Sequence, residues 1–536
     1  MLKSMIVRCL FGWFALALWA CIFSSVATRS ANAQTLGSSY RSNGQCGSFA
    51  KAPLDTPSWA CVGIVAGPSQ RLVMPRAIVE IAPRRFIVTD MGSWSPGKGR
   101  VLQLDVSEHG AAEVTVLYAR LDLPHGLAIG PDGKVYIGER SAVWRFDPAK
   151  KSAPKEMVAD GLPATGLHRL KHIAFDRNGD LIINIGAPTD RCEGKGRALL
   201  WPCPEENSKL PVAALWRLRM GEGPAKSRLE LLAQGLRNSA ALAIHPASGL
   251  ILQGENSADY PNENFPPEEL NVIEPGRHYG WPYCAGFGTV VPEYKKHVAS
   301  CSRYAGPIAL LPAHSAPLGL LYYTGNLFPE LRGKLIVSLH GYRSQGHRIV
   351  AASVDKSGRP VAETGGSLAL SDLVGGWNPQ KSRRPLGTPV GLLQATDGSL
   401  WFVEDKNHTV MVVLRSGPND RAAPPPQNDQ PENVQVDVEA MPPPDGWSNI
   451  HGQILRPVCG QCHGELGAAD ARQAWTDASS RGWLEENDLS QSKLFQAILG
   501  TGSVRQMPPA PAVLDPKSIE QVKSFLSRAK AAASRD

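Results

Sequence analysis

A short apolar strand, a tight turn and a second apolar strand recur along this 536-residue chain. Asp-Gly and Asn-Gly turns between β-rich segments are typical of two-stranded hairpins, because the turn needs positive φ. The four clear copies have their turns at 132–133 (Asp-Gly), 178–179 (Asn-Gly), 248–249 (Ser-Gly) and 397–398 (Asp-Gly). Two degenerate copies span 76–90 and 320–339. Six hairpins predict an all-β six-bladed β-propeller; the alternative is a β-sandwich with ordinary hairpins.

The domain boundaries follow from where this pattern starts and stops. Two runs of three prolines, at 424–426 and 442–444, predict an extended linker after the last hairpin. Beyond it, Asp515 can cap a helix that has Pro516 at its first position, so we expect a small all-α domain. The predicted segments are a signal peptide (1–33), an N-terminal extension (34–69), the propeller (70–415), the Pro-rich linker (416–447) and the helical domain (448–536).

The N-terminal segment has the features of a secretion signal. Lys3 and Arg8 precede an apolar stretch, 10–23, and 31–33 (Ala-Asn-Ala) provide a cleavage site. Because that stretch is shorter than the ~20 residues a membrane span needs, a retained membrane anchor is the weaker alternative. Lipidation at Cys21 is a second, weaker alternative. We therefore expect an exported, periplasmic protein without a stable membrane span. Removal of the signal lowers the formal net charge from +7 to +4, and without a basic cluster we expect no nucleic-acid binding.

Six further cysteines fall into local couples in the sequence. An oxidising compartment favours disulfides, and pairing between nearest neighbours is the simplest arrangement. The expected pairs are Cys46 with Cys61, Cys192 with Cys203, and Cys284 with Cys301.

Residues 459–463 read Cys-Gly-Gln-Cys-His. The C-x-x-C-H spacing lets both thiols attach to one haem, and His463 then reaches the iron as its proximal ligand. Met507 is the only methionine that follows, so it is the expected sixth ligand. The tail resembles a class I cytochrome c domain that carries haem c on Cys459 and Cys462. A disulfide or zinc site formed by the two cysteines is the alternative.

A second set of motifs lies within the propeller segment. They are Gly-Leu-Arg-Asn at 235–238, Glu-Leu-Asn at 269–271, Gly-Arg-His-Tyr-Gly-Trp-Pro at 276–282 and Ser-Leu-His-Gly at 338–341, together with His168 five residues before a hairpin strand. In these motifs the chain resembles the glucose/sorbosone dehydrogenase family, which are soluble six-bladed propellers that use pyrroloquinoline quinone (PQQ). It is more similar to the sorbosone-dehydrogenase branch, and the resemblance spans about 70–415.

The resemblance implies a role for each matching residue. His168 has the position of the family's general base, which takes the proton from the substrate hydroxyl while a hydride passes to C5 of the quinone. Arg237 has the position of the arginine that lies over the quinone carbonyls, and Asn238 supports the same site. A Ca²⁺ ion is expected on backbone carbonyls of the following loop, here those of Ser257 and Ala258.

The resemblance also implies cationic contacts, because PQQ has three carboxylates. The basic residues in the two expected regions are His340, Arg343, Arg383 and Arg384. His125 begins another hairpin at the same rim and is a further candidate for lining the pocket.

We therefore predict an exported dehydrogenase that oxidises a sugar, an aldose or a related polyol with PQQ. Its electrons pass to the fused haem and then to an external acceptor, such as a soluble cytochrome or a respiratory-chain component. Two alternatives use the same propeller differently: a Ca-dependent lactonase or similar hydrolase, and a non-catalytic carbohydrate-binding propeller with an electron-carrier tail. Activity that is independent of PQQ favours the first, and ligand binding without turnover favours the second.

Overall fold

The protein forms a β-rich unit followed by a helical unit. The computed structural model describes residues 40–533 apart from 41, 43, 195–197, 222–226, 342, 378–386, 418–442, 444–445, 460–465, 467–469, 481–482, 485–488, 490–491 and 502–513. The predicted signal peptide, nearly all of the predicted linker and Arg383 and Arg384 lie outside the described residues.

Six antiparallel sheets form the β-rich unit, and each sheet is one blade of a propeller. The N-terminal strands are β1 (Gln45–Cys46), β2 (Phe49–Lys51) and β3 (Ala60–Ala66). Blade 1 contains β4 (Pro75–Ala82), β5 (Arg85–Asp90), β6 (Gly99–Val106) and β7 (Ala112–Leu121). Blade 2 contains β8 (Gly126–Ile129), β9 (Val135–Gly138), β10 (Val143–Phe146) and β11 (Glu156–Ala159). Blade 3 contains β12 (Ile173–Phe175), β13 (Leu181–Ile185), β14 (Ala214–Arg219) and β15 (Arg228–Gln234).

The second half of the propeller follows the same plan. Blade 4 contains β16 (Ala241–Ile244), β17 (Ile251–Glu255), β18 (Glu268–Val272) and β21 (Ala309–Leu311), with the small hairpin β19 (Cys284–Ala285) and β20 (Thr289–Val290) inserted before β21. Blade 5 contains β22 (Pro317–Tyr322), β23 (Lys334–Leu339), β24 (Arg348–Ser353) and β25 (Ser371–Val374). Blade 6 contains β26 (Pro389–Gln394), β27 (Leu400–Glu404) and β28 (Thr409–Arg415). Short 3-10 turns lie at Pro68–Gln70, Pro204–Asn207, Pro292–Tyr294 and Pro329–Leu331.

The six predicted hairpins are the first two strands of the six blades. Gly133, Gly179, Gly249 and Gly398 have the positive φ that their turns require. The first strands contact one another in a closed ring, because each packs against the next and β26 packs against β4. The prediction of a six-bladed propeller is therefore confirmed, and the β-sandwich alternative is wrong.

Both ends of the propeller segment contribute to blade 6. Strand β3 pairs with β28, where Val62 lies opposite Val413, and β2 and β1 extend the sheet outward. A disulfide between Cys46 and Cys61 joins β1 to β3. Ring closure is completed by hydrogen bonds between distant parts of the chain, which leaves blade 6 without an open edge at β28.

The two other disulfides stabilise long insertions. Cys192–Cys203 closes the loop between β13 and β14, and Cys284–Cys301 closes the insertion between β18 and β21. The insertions pack together through an aromatic cluster in which the rings of Trp201, from the first insertion, and Tyr283, from the second, are 5.1 Å apart. All three predicted pairs are confirmed.

Antiparallel pairing determines which loops share a face of the propeller. The loop before the first strand of a blade and the loop between its second and third strands lie at the same end of that blade. We call this end the upper face. It comprises the loops before β4, β8, β12, β16, β22 and β26 and the loops after β5, β9, β13, β17, β23 and β27. The Asp-Gly and Asn-Gly turns lie on the opposite, lower face.

The C-terminal unit is a small helical domain with its own core. Its helices are α1 (Trp447–Ile450), a π-helical turn (His451–Leu455), α2 (Arg456–Val458), α3 (Ala471–Ser480), α4 (Lys493–Leu499) and α5 (Pro516–Ala533). The Asp515 carboxylate accepts hydrogen bonds from the backbone N–H groups of Lys517 and Ser518, as expected for an N-cap. Val522 and Phe525 are buried in the apolar core of this unit. Within the described residues, no helix combines the length and apolar character needed to cross a membrane.

Candidate functional site

The upper face carries every described propeller residue that the sequence singled out for the site. His168 precedes β12, and Arg237 and Asn238 precede β16. The predicted calcium loop follows β17, and His340 follows β23 directly. Strand direction, rather than sequence proximity, places these residues on one face.

His168 is held by a backbone carbonyl. Its Nδ1 lies 2.7 Å from the carbonyl oxygen of Ala187. Because a carbonyl can only accept, Nδ1 carries the proton and Nε2 keeps its lone pair. Burial and the nearby charge of Arg237 hold the pKa of His168 well below its ordinary value. His168 is therefore a neutral base at pH 7.

Gly186 allows the loop that carries His168 to approach β13 closely. A Cβ at this position would lie 2.6 Å from the Cβ of His168 and 3.3 Å from the carbonyl oxygen of Arg237. These distances also place His168 and Arg237 on either side of the same short backbone segment. Substitution by any larger residue would push the two loops apart.

Arg237 is a buried arginine, 5% exposed, with a fixed orientation. Its guanidinium lies 2.6 Å from the carboxylate of Asp190 and donates a hydrogen bond of 2.8 Å to the carbonyl oxygen of Asn256. The indole N–H of Trp281 donates to the carbonyl oxygen of Asp190 at 3.0 Å. Asn238 donates its backbone N–H to Glu255. We call His168, Asp190 and Arg237 the Arg237 cluster.

The predicted calcium loop borders an acidic cleft. Ser257 donates its backbone N–H to Glu268 at 2.6 Å, and Ser257 and Ala258 line a small cleft that is open to solvent. Glu255 and Glu269, paired across β17 and β18, line the same cleft. Burial raises the pKa of Glu255 to about 8, with repulsion from Glu269 adding to the effect, and burial raises the pKa of Glu269 to about 7.

These oxygen donors and buried carboxylates suit a hard cation such as Ca²⁺. Nowhere in the described part of the chain do three His, Cys, Asp or Glu side chains converge on a point where they could hold a metal ion. The predicted Ca²⁺ ligands are the backbone carbonyls of Ser257 and Ala258. An acidic cleft beside these carbonyls is compatible with that prediction.

A second group of buried polar side chains lies on the same face, and we call it the Arg76 cluster. Arg76 forms an ion pair with Asp405, and its Nε donates to Nδ1 of His125 at 3.2 Å. His340 lies 3.2 Å from the same Asp405 carboxylate. The rings of His125 and His172 are 5.8 Å apart. Five different blades or their connecting loops thus contribute to one group of polar side chains.

Burial keeps His125 and His172 of the Arg76 cluster neutral. Burial lowers the pKa of His172 to about 4. Burial, and secondarily the Arg76 guanidinium, hold the pKa of His125 well below its ordinary value. Although burial raises the pKa of Asp405, the charges of His340 and Arg76 hold it below its ordinary value. Nε2 of His125 is buried and has no hydrogen-bond partner among the described residues, which leaves a position for a ligand atom.

Several functional residues were missed by sequence reasoning. Arg76, Asp190 and Asp405 look like ordinary charged residues in the sequence; the fold buries Arg76 and Asp405 and leaves Asp190 partly exposed. Of the predicted carboxylate contacts, Arg343 instead pairs with Glu263 at 3.1 Å and donates to the carbonyl oxygen of Tyr260. Arg384 lies outside the described residues.

The comparison with known proteins agrees with this architecture. Residues 68–416 match the TrAA12-like family. The chain belongs to the TrAA12-like family. A pyrroloquinoline quinone-dependent sugar dehydrogenase of Hypocrea jecorina is 23% identical over 448 residues, which cover 75% of this chain and 96% of that protein. An uncharacterized protein of Borreliella burgdorferi is 29% identical over 257 residues, and the match covers 46% of this chain and 60% of that protein.

A solved structure shares the fold. The calcium structure of the Trichoderma reesei enzyme of carbohydrate-active family AA12 has a TM-score of 0.57 and 18% identity, and the match covers 72% of this chain and all of that one. The TrAA12-like region contains both arginine clusters and all six blades.

The predicted haem residues lie beyond the TrAA12-like region. Cys459 follows α2 directly and is buried in the apolar core of the helical unit, 9% exposed. Cys462, His463 and Met507 lie outside the described residues. The small C-terminal helical region is confirmed, whereas the cytochrome c domain and its haem stay predictions.

Proposed function

We propose that this TrAA12-like protein is an exported PQQ-dependent dehydrogenase that oxidises a sugar, an aldose or a related polyol. The observation that carries the proposal is the pairing of a neutral, carbonyl-oriented His168 with the buried Arg237 on the face of the propeller that also carries the Arg76 cluster. The relative from Hypocrea jecorina is named as a PQQ-dependent sugar dehydrogenase, which supports the same activity.

His168 acts as the general base. Nε2 of His168 would accept the hydroxyl proton of the substrate CH–OH group as that group is oxidised to a carbonyl. PQQ, when bound, supplies the two-electron acceptor for the hydride. The hydrogen bond from Nδ1 to Ala187 keeps the ring in the tautomer that can accept the proton.

Arg237 and the Arg76 cluster fit an anionic aromatic cofactor. Arg237 would stabilise the negative charge that develops on the quinone oxygens, with Asn238 beside it. The predicted carboxylate contacts are His340, Arg343 and Arg384, and the structure adds Arg76 and the unpartnered Nε2 of His125. Ca²⁺ on the carbonyls of Ser257 and Ala258 would supply Lewis-acid polarisation.

The helical unit receives the electrons in this proposal. Cys459 and Cys462 would attach haem c, with His463 and Met507 as its axial ligands. Tethering the haem to the propeller gives it a high effective concentration near its electron donor and leaves it able to serve an external acceptor. The three disulfides fit the oxidising compartment that the predicted signal peptide implies.

Two measurements on the purified protein test the proposal. Mass spectrometry and absorbance should detect covalent haem, and dye-linked oxidation of a sugar panel should require added PQQ and Ca²⁺. The matched control is Cys459→Ala with Cys462→Ala, which should lose the haem spectrum and retain dye-linked oxidation. Hydrolysis of a lactone without PQQ, or sugar binding without any turnover, would contradict the proposed dehydrogenase.

A further inference from the structure

Two large apolar side chains remain exposed on the upper face beside His168. Trp94, in the loop between β5 and β6, is 46% exposed, and Leu167, next to His168 in the chain, is 61% exposed. Arg169 links the two loops, because its guanidinium donates to the carbonyl oxygen of Trp94 at 3.4 Å and lies 6.0 Å from the centre of the indole ring. An apolar surface bordered by a cation therefore adjoins the candidate base.

The loop that carries Trp94 is held in place by a buried carboxylate. Asp90 is fully buried, pairs with Arg100 at 2.5 Å and accepts backbone N–H bonds from Val73, Met74 and Gly92. Gly92 has φ +68°, and a Cβ there would lie 2.2 Å from the carbonyl oxygen of Lys98. The indole is thus mounted on a closed loop, and a ligand that packs on it meets a largely preformed surface.

The loop that carries Leu167 is held equally firmly. Leu167 and His168 donate their backbone N–H groups to the carbonyls of Pro188 and Ala187, at 2.8 and 3.3 Å. Gly166 has φ +82°, and a Cβ there would lie 2.1 Å from the carbonyl oxygen of Pro188. Hydrogen bonds to the same segment therefore fix both the base and the apolar side chain beside it.

We propose that Trp94, with Leu167 and Arg169, forms the subsite that receives the ring of a cyclic sugar while its reacting carbon faces His168. This proposal rests on the proposed function and adds the residues that select its substrate. One face of a pyranose ring presents C–H groups that pack on an indole, while its hydroxyl groups at the edge can accept hydrogen bonds from a guanidinium. A three-carbon acyclic substrate has no ring face to pack on the indole.

The lower face provides a matched control. Trp59 precedes β3 and also has an arginine over its ring, with the Arg415 guanidinium carbon 5.7 Å from the ring centre. It lies at the end of blade 6 opposite to the upper-face loops. The chemical pair is the same, but it lies on the opposite face from His168, where Trp59 is partly buried against Phe328.

The test uses the full-length protein loaded with PQQ and Ca²⁺. For Trp94→Ala we expect KM for glucose and cellobiose to rise about tenfold, a loss of about 1.4 kcal/mol, with kcat within twofold of the wild type. Trp94→Phe should recover most of the loss because it keeps an aromatic face. KM for glycerol and glyceraldehyde should not change, and Trp59→Ala should match the wild type with every substrate.

Two results would overturn the subsite. One is a KM for the cyclic sugars within twofold of the wild type in Trp94→Ala; the other is an equal rise for cyclic and three-carbon substrates. Calorimetric titration with methyl α-glucoside separates this proposal from the proposed function. Binding that Trp94→Ala abolishes, in a protein without PQQ-dependent oxidation, would support the subsite and refute the dehydrogenase; no binding and no oxidation would refute both.

Discussion

The two arginine clusters of the upper face have the same components and different surroundings. Each contains a buried arginine paired with an aspartate and placed near histidine. In the Arg237 cluster, Asp190 is 17% exposed. Arg237 and His168 also donate hydrogen bonds to backbone carbonyls. In the Arg76 cluster, Arg76 and Asp405 are 4% and 7% exposed, and the histidines contact the ion pair itself.

This difference indicates that the same residue types can take part in catalysis in the Arg237 cluster and stabilise the structure in the Arg76 cluster. A base must exchange its proton with the substrate, so it needs a free lone pair at an accessible position. His168 meets this requirement at Nε2, whereas the lone pair on Nδ1 of His125 is occupied by the hydrogen bond from Arg76. We therefore expect the Arg237 cluster to control turnover and the Arg76 cluster to control stability and cofactor retention.

The largest effect on turnover should follow from His168→Ala. Without the base, kcat should fall by about 10²–10⁴, while the unfolding temperature changes little because the side chain is only half-buried. Steady-state dye reduction and thermal unfolding measure the two quantities. His245→Ala, on a lower-face turn, is the control and should keep wild-type kcat. A kcat within threefold of the wild type in His168→Ala would remove His168 from the mechanism.

Removing one carboxylate from each cluster should separate stability from activity. Asp405→Asn leaves Arg76 buried without a counter-charge, so the free energy of unfolding should fall by about 3–5 kcal/mol. Asp190→Asn should cost less stability, because Arg237 keeps its bonds to two backbone carbonyls, and should lower kcat more. Denaturant unfolding and dye-linked kinetics provide the data. Equal losses of stability in the two variants would mean that the clusters do not differ in this way.

The pH profile tests the coupling between Arg237 and His168. The positive guanidinium disfavours the imidazolium, so the acid limb of kcat/KM should lie below pH 6.5, the ordinary His pKa. Arg237→Gln removes that charge and should shift the limb to higher pH, in addition to lowering kcat. Arg219→Gln, which breaks the ion pair between the exposed Arg219 and the buried Asp180, should leave the limb in place. An unshifted limb in Arg237→Gln would exclude electrostatic control of the base by Arg237.

The smallest effect concerns the acidic cleft that borders the predicted calcium loop. Because the folded-state pKa of Glu255 is raised to about 8, its contribution to stability is full below the unfolded value and is lost as the pH rises toward 8. As the pH rises from 5 to 8.5 in the presence of a chelator, the unfolding temperature of the wild type should therefore fall more than that of Glu255→Gln. Glu330 is an exposed glutamate paired with Arg415, and the unfolding temperature of Glu330→Gln should change with pH in parallel with that of the wild type. Parallel curves for Glu255→Gln would show that Glu255 ionises normally.

The sequence allowed the blade count to be predicted because each inner hairpin has a local signal. Gly133 or Gly398 needs positive φ whatever the rest of the chain does. The closure of blade 6 could not be predicted, since it depends on the pairing of β3 with β28, which lies at the far end of the propeller segment. The local strand–turn–strand pattern therefore predicts the repeated hairpin but does not predict how the ring of blades is closed.

The candidate site divides in the same way. His168 and Arg237 were predicted because they lie in motifs, and the fold then placed them together. Arg76 and Asp405 are 329 positions apart and become partners only through ring closure. Their role depends on burial, which a single sequence does not reveal for an isolated charged residue.

The most direct test is sugar-driven reduction of the haem within one polypeptide. The full-length protein would be mixed anaerobically with glucose, with and without PQQ and Ca²⁺, while haem absorbance is followed in a stopped-flow instrument. The account predicts haem reduction only with PQQ bound, at a rate that falls by about 10²–10⁴ in His168→Ala. A haem that stays oxidised across a broad panel of sugars, aldoses and polyols, or one that is reduced equally well without PQQ, would contradict it.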